Sequence, residues 1–321
     1  DDRASGVSLD ETEGGETEAP NPSLPCRLMH PDDFPDKVRL NIYSKPEYLG
    51  TLVELLEGSE AWDVLLGSQF KKLFELPVAR CSHSAKLIHG MLARQLLTQR
   101  KHELWTVYGG YPLRFSLKEF QITTGLNCDK LPTDSEVEDH QDPAYLSVWN
   151  RLFKEKCVVT VMDVVEMLRG DVNAEPRKRF STWKKLSLAL IVLLDGVVVC
   201  SNRKQHRVSS SYVEMLHDLE FFMSYPWGRV AFESTMEQFG PSTGENDPIA
   251  ELKSRLSQKS SCCYGFPLAL QLQVLNSIPA LCSRIKEPAD FRNFIQRPAV
   301  DLARTILLRE SDVIDAECAA N

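Results

Sequence analysis

Residues 103–125 read ELWTVYGGYPLRFSLKEFQITTG, and three local rules meet in them. Glu103–Tyr108 and Tyr111–Phe115 are rich in aromatic and β-branched residues and flank Gly109-Gly110, which supplies the positive φ of a two-residue turn. The spacing predicts a β-hairpin, and Pro112 makes its second strand an edge, because proline has no N–H to give a further strand. Ser116 and Glu119 stand at capping-box spacing: Ser116 is expected to accept from the third helical amide while Glu119 reaches back. Phe115 and Phe120 occupy the two positions of a hydrophobic staple, and Gly125 suits the left-handed residue after a helix ending at Thr124. Arg114, a cation in an apolar string, is expected to pair with Glu119.

Outward from this unit the periodicity is helical. Tyr48, Leu49, Leu52, Leu55 and Leu56 make one core-facing stripe, and helices are predicted over Trp62–Phe74 and Ser84–Thr98. Downstream, residues 127–142 are polar and acidic and read as a surface loop. Helices are then predicted over Tyr145–Phe153, Thr160–Leu168, Ser181–Val199, Val208–Met223 and Trp227–Phe239, the last entered through Pro226. Within it Trp227 is assigned to the core and Arg229 is expected to pair with Glu233. Three shorter helices, Ile249–Gln258, Phe266–Ser277 and Pro298–Leu308, complete a mainly α, multi-helix globular fold with one small hairpin at about 103–115. The organisation expected is a disordered acidic tail (1–25), a main helical domain (40–239), a linker (240–248), C-terminal helices packing on that domain (249–308) and a tail (309–321).

Charge follows this division. The chain holds 37 Lys+Arg against 45 Asp+Glu, a net charge of −8, but seven of the acids lie in residues 1–25 beside Arg3 alone. Residues 26–321 keep 36 basic and 38 acidic side chains, so the expected folded body is nearly neutral. The acidic total argues against a strong duplex-DNA binder, and the near-neutral body weakens that argument. The chain starts at Asp1 with no charged-then-apolar leader and is expected to be a fragment without a secretory signal. Nine scattered Cys, with Cys262 and Cys263 as the one adjacent pair, suggest reduced thiols in an intracellular protein. The longest apolar run, Leu186–Cys200, is interrupted by Asp195 and Gly196 and falls short of the about twenty residues a bilayer span needs, so no membrane association is expected.

Catalytic signatures are sparse. No phosphate-cradling glycine loop, nucleophile elbow, dinucleotide fingerprint or His-Glu-x-x-His is present, and Gly109-Gly110 alone is a turn. Cys81 with His83 or His89 is the least poor nucleophile–base pairing, and His217-Asp218 is a polar pair at the edge of an apolar helix. Glu136/Glu138 and Asp139/Asp142 lie in the acidic loop and offer only unspecific affinity for a divalent cation. No catalytic residue, cofactor site or metal site is assigned. The segment Arg177-Lys178-Arg179-Phe180-Ser181-Thr182-Trp183-Lys184-Lys185 puts five cations and two aromatics in nine residues. Its alternatives are a solvated loop with Phe180 and Trp183 packed inward, a nuclear import signal, or a phosphate contact on nucleic acid.

The strings LIHGMLARQLLTQRKHELWTVYGGYPLRFSLKEFQITTGLNC (87–128), WNRLF (149–153), KKLSLALIVLLDGVV (184–198), VEMLHDLEFFMSYPWGRVAF (213–232) and GFPLALQLQVLNSIPAL (265–281) resemble a plant domain of unknown function, number nineteen-eighty-five. The resemblance implies a crucifer setting, often in Mutator-like transposons that captured a SUMO-protease-type, ubiquitin-like-protein-specific cysteine peptidase. It implies a nuclear protein and supplies no catalytic residues. The protease itself has no counterpart here: Gln258 precedes Cys262 by four positions and no Asp-Cys-Gly occurs. The expectation is a non-enzymatic interaction module of a transposon-derived, SUMO-protease-associated protein, with an unidentified protein partner and an open oligomeric state. The alternatives are a divergent or inactive peptidase-related protein whose catalytic domain follows residue 321, and a nucleic-acid-binding accessory domain using residues 177–185.

Overall fold

The computed structural model describes residues 24–98, 100, 102–141, 144, 146–200, 207–241, 247–302, 305 and 307–318. The acidic tail expected over 1–25 therefore lies almost wholly outside the described residues, as do Asp142, Tyr145, the middle of the 240–248 linker and residues 319–321. Strand β1 (Arg39–Ile42) leads to helix α1 (Glu47–Leu56), which buries Tyr48, Leu49, Leu52 and Leu56 as their spacing predicts and adds Val53. In place of one helix over Trp62–Phe74 there are two. The first, α2 (Glu60–Leu66), is capped by Ser59 and stops at Gly67, where the Ser68 hydroxyl donates to the Leu65 carbonyl; α3 (Lys71–Phe74) follows.

Helix α4 (Ala85–Ala93) begins at the Ser84 cap but ends short of the predicted Thr98. Residues 94–97 leave the helix because the hairpin takes their backbone groups. That hairpin, β2 (Glu103–Tyr108) with β3 (Tyr111–Ser116), turns through Gly109 and Gly110 at φ +53° and +79°. The Val107 N–H donates to the Arg94 carbonyl at 3.1 Å and the Leu96 N–H to the Trp105 carbonyl at 2.8 Å. On the far side, Leu28 and Leu97 amides bond the Gln95 and Cys26 carbonyls, so four short extended segments lie side by side. The outer edge of β3 is closed by Pro112 and by the Gln273 amide, which donates to the Arg114 carbonyl.

Helix α5 (Leu117–Thr124) keeps the staple, with the Phe115 and Phe120 rings 6.3 Å apart, and ends in Gly125 at φ +73°. Its cap differs from the expectation. Ser116 accepts from the Lys118 N–H at 3.2 Å, one residue earlier than the third helical amide. Glu119 does not close the box, because the Arg114 guanidinium, 2.6 Å away, and the Ser116 hydroxyl take its carboxylate. A reciprocal capping box appears instead in the region read as loop, where Thr133 and Glu136 start α6 (Asp134–Glu138), and another at Thr160 and Asp163.

Helices α7 (Ser147–Phe153) and α8 (Val161–Val172) precede α9 (Thr182–Leu193), which continues into a five-residue π-helical turn, Leu194–Val198. This is the axis of the fold. Leu186 to Leu193 are buried without interruption, each large apolar side chain contributing about 1.5–3 kcal/mol over exposure, and α1, α2 and α8 cover it. The single helix expected over Val208–Met223 is split into α10 (Ser210–Met215) and α11 (Leu219–Ser224), because Asp218 caps the second through the Phe221 N–H at 3.0 Å. The remaining helices are α12 (Trp227–Phe239), α13 (Pro248–Ser257), α14 (Leu268–Ser277) and α15 (Pro279–Cys282). Strand β4 (Ser260–Cys263) pairs in parallel with β1, a second sheet the sequence pattern did not predict.

The helix expected at Pro298–Leu308 is absent from its described residues. There the chain is irregular: the Ser82 hydroxyl donates to the Leu302 carbonyl at 3.1 Å, and the Pro298 carbonyl sits against Gly50, where a Cβ would lie 2.1 Å from it. The last helix is α16 (Glu310–Cys318) instead. The fold is mainly α, and among the described residues the named strands form two small pairs. Among the described residues no helix is long and apolar enough to cross a membrane.

Candidate functional site

The basic segment is held by one buried carboxylate. Asp171, in the last turn of α8, accepts from the Phe180 N–H and meets Lys185 Nζ at 3.1 Å. This fastens both the end of the loop and the first turn of α9, where the Ser181 hydroxyl accepts from the Lys184 N–H. Arg177, Lys178 and Arg179 are exposed on the outside of the loop. Lys178 pairs with Glu175 at 3.1 Å and Arg179 Nε donates to the Ala174 carbonyl at 3.4 Å.

Two aromatic rings form the floor. Lys184 Nζ stands 4.1 Å from the Phe180 ring centre, and the Arg151 guanidinium lies 4.0 Å over Trp183. Both rings are half-buried against the core, and both carry their cations outside. Arg151 comes from α7, as does the neighbouring Lys154 just past its end. Burial pushes the Lys184 ammonium below its ordinary range, and the like charge of Lys154 pushes it further, against the attraction of Asp171. Lys154 has φ +57° and ψ −133°, a backbone region that glycine enters freely and a lysine does not. The segment singled out in the sequence is thus half of a cationic surface. Its other half, from WNRLFK, was missed because nothing local links residues 151–154 to 177–185; three-residue spacing of the two cations is the one signal that was available.

The other candidates are occupied by the fold. Cys81 is fully buried, its thiol donating to the Pro77 carbonyl at 3.2 Å, and burial pushes it well up. His83 is pushed down to about 4 by burial while its Nε2–H donates to the Ser44 carbonyl at 3.0 Å. His89 likewise donates to the Leu256 carbonyl at 2.9 Å. Asp218 is engaged with a histidine remote in sequence: His140 Nδ1 lies 2.8 Å from its carboxylate and the imidazole stacks 4.0 Å from the Phe221 ring. The Phe221 amide bond and then the His140 bond hold the Asp218 carboxyl below its usual range. Glu136 is spent on Thr133, whose backbone N–H donation lowers it. Among the described residues no group of three or more His, Cys, Asp or Glu is placed to hold a metal ion.

Arg229 is tied to the carbonyls of Asp129 and Cys128, the latter at 3.0 Å, and stands 3.6 Å from Glu233. Trp227 is fully buried and donates its indole N–H to the Phe222 carbonyl at 2.8 Å. A groove of about 350 Å³ runs between α4, α16 and the segment Pro31–Asp36. Its wall contains the buried Arg94, bonded through Nε to both carboxylate oxygens of Glu317 at 3.0 Å and lying 4.5 Å over the Phe34 ring.

A domain of unknown function, DUF1985, is present. Its family model matches residues 92–238, from the end of α4 through α12. No curated protein and no solved structure matches the chain. The DUF1985 stretch contains the hairpin, α5, α9 and both halves of the cationic surface. The α4–α16 groove lies mostly outside it.

Proposed function

We propose that the chain is a non-enzymatic helical interaction module from a transposon-derived, SUMO-protease-associated plant protein that works in the nucleus. The observation that carries this reading is the contrast between its interior and its surface. The thiol and imidazoles with the best claim to chemistry are spent on backbone carbonyls: Cys81 is kept a neutral thiol by burial, and His83 is kept a neutral ring. Nucleophilic catalysis needs a thiolate beside a base that can hold a proton near neutral pH, and these two groups are tuned away from both conditions. Around Trp183, by contrast, exposed cations face solvent. The plant, transposon and nuclear parts of the proposal rest on the sequence strings that resemble the crucifer family.

The test is direct. Purified chain incubated with a SUMO precursor and a SUMO conjugate should leave both intact, and a fluorescent fusion in plant cells should concentrate in the nucleus. Cleavage that a Cys81→Ala change abolishes would overturn the non-enzymatic reading, and a fusion excluded from nuclei would overturn the setting.

A further inference from the structure

We propose that the surface formed by Arg151, Lys154, Arg177, Arg179 and Lys184 binds the phosphate backbone of nucleic acid without reading its bases. This rests on the non-enzymatic module reading and names its partner.

Three independent features of the surface point the same way. The first is its assembly: the end of α7 meets the 177–185 segment where Arg151 lies over Trp183, and the buried carboxylate of Asp171 fixes the end of the loop and Lys185. The second is that the arrangement works against the bare protein. The first turn of α9 has no acid of its own at the helix end where the backbone dipole is already positive; Asp171 takes Lys185 and Glu60 takes the Thr182 hydroxyl, while Lys184 stands over the Phe180 ring. Lys154 adds a like charge close enough to perturb Lys184, from a backbone conformation unfavourable to any side chain. Such mutual repulsion is relieved when an anion arrives. The third is the geometry of the rings. The Arg151 guanidinium carbon lies 4.0 Å over the Trp183 ring centre, which fixes an exposed cation at this place, and a guanidinium can donate two N–H groups to two oxygens of one phosphodiester.

The same rings favour one class of polyanion. A membrane-surface site presents aromatic and aliphatic tips for insertion, whereas Phe180 and Trp183 are half-buried under their own cations. The covered rings also leave no free face for a base to stack on, so the contact is to phosphate rather than to sequence. An acidic peptide would satisfy the charge, but its carboxylates sit at the ends of flexible side chains, whereas the phosphodiester charges repeat at a fixed spacing along the nucleic-acid backbone.

The test is a fluorescence anisotropy titration of the whole chain with a labelled DNA duplex of about 20 base pairs. With about four phosphates neutralised, affinity should fall on the order of 100-fold between about 50 and 200 mM salt. The double change Arg151→Glu, Lys154→Glu should weaken binding at least tenfold, about one decade, and flatten the salt dependence. Lys154→Gly should weaken binding and reduce the salt slope by about one, while its melting temperature stays level or rises because glycine accepts that backbone. Arg292, beyond α15, pairs with Asp290 at 2.8 Å, and Arg292→Gln should change neither. The proposal is overturned if duplex binding is absent, independent of salt, or unaffected by the Arg151 and Lys154 changes. It is equally overturned if phosphatidylserine vesicles or poly-glutamate bind more tightly than DNA through the same residues. These outcomes leave the SUMO-cleavage test untouched, so either reading can fail alone.

Discussion

The hairpin–helix unit at 103–125 and the central helix α9 with its π-helical turn are both buried in one core, yet they are specified over opposite distances. In the first, each feature has its cause a few residues away: Gly109 and Gly110 take the positive φ of the turn, Phe120 finds Phe115, and Gly125 closes the helix. In the second, Gly196 has an ordinary backbone and is required by a remote neighbour. A Cβ there would lie 2.7 Å from the Tyr48 ring and 3.0 Å from Val161. Asp195 beside it has an ordinary local sequence, but among the described residues its buried Oδ1 has no hydrogen-bond partner, while Oδ2 accepts from the Ser209 N–H at 2.9 Å. One region is written in its own sequence and the other in what surrounds it.

The strongest way to break this contrast is to remove the charge at Asp195. Burial pushes its carboxyl from 3.8 up to about 7, against the Ser209 bond. An acid raised in the folded state gives its full stability below the unfolded value and loses it as pH rises through the folded one. Stability should therefore decline from about pH 4 to pH 7, by on the order of 4 kcal/mol. Asp195→Asn should flatten that decline and be the more stable protein at pH 8, as read by urea unfolding at pH 4.5 and 8; a variant with the parent's pH profile would refute the assignment.

Next in size is Gly196→Ala. The new methyl must displace the Tyr48 ring, and the expected loss is about 1–3 kcal/mol despite alanine's better helix propensity. Thermal unfolding checks it, and Tyr48→Ala in the same chain should recover part of the loss from the clash. A smaller loss, about 1–2 kcal/mol, is expected for Gly110→Ala, which forces a side chain into the left-handed turn, with no partner mutation able to rescue it. The least effect belongs to Glu119→Gln. Partial burial raises that carboxyl while the Arg114 and Ser116 bonds lower it further, and the pair is open enough that its loss should cost under about 1 kcal/mol in a denaturant melt. If the local changes exceeded the remote ones, the contrast between the two regions would be wrong.

The same division explains what could be read in advance. The hairpin, the staple and the entry of α12 through Pro226 were legible because their partners lie within a turn or two. The end of α4 was not, because its periodicity runs on to Leu96 while the backbone of 94–97 is claimed by β2 on one side and by Cys26 and Leu28 on the other. The parallel pairing of Arg39–Ile42 with Ser260–Cys263 joins segments more than two hundred residues apart; SSCC has no polar–apolar alternation, and that of RLNI lasts only four residues. Apolar spacing after Pro298 imitates a helix, but the Leu302 carbonyl accepts from Ser82, the Pro298 carbonyl accepts from the Val300 N–H, and the latter carbonyl is packed against Gly50. At the candidate site the cations of 177–185 were visible from composition, whereas Arg151 and Lys154 joined them only through folding. The His140–Asp218 contact was hidden for the same reason: seventy-eight positions separate its members.

Arg94 and Glu317 set a limit on how far the DUF1985 stretch can be taken out of its chain. Arg94 lies inside the match and its counter-ion lies near the other end of the described chain, on α16. A fragment cut to residues 92–238 would carry that guanidinium without its carboxylate and without most of α4, at whose end it stands. The segment by which kinship is recognised is therefore smaller than the segment that can stand alone, and any transplant of this domain into another protein has to carry both of its flanks.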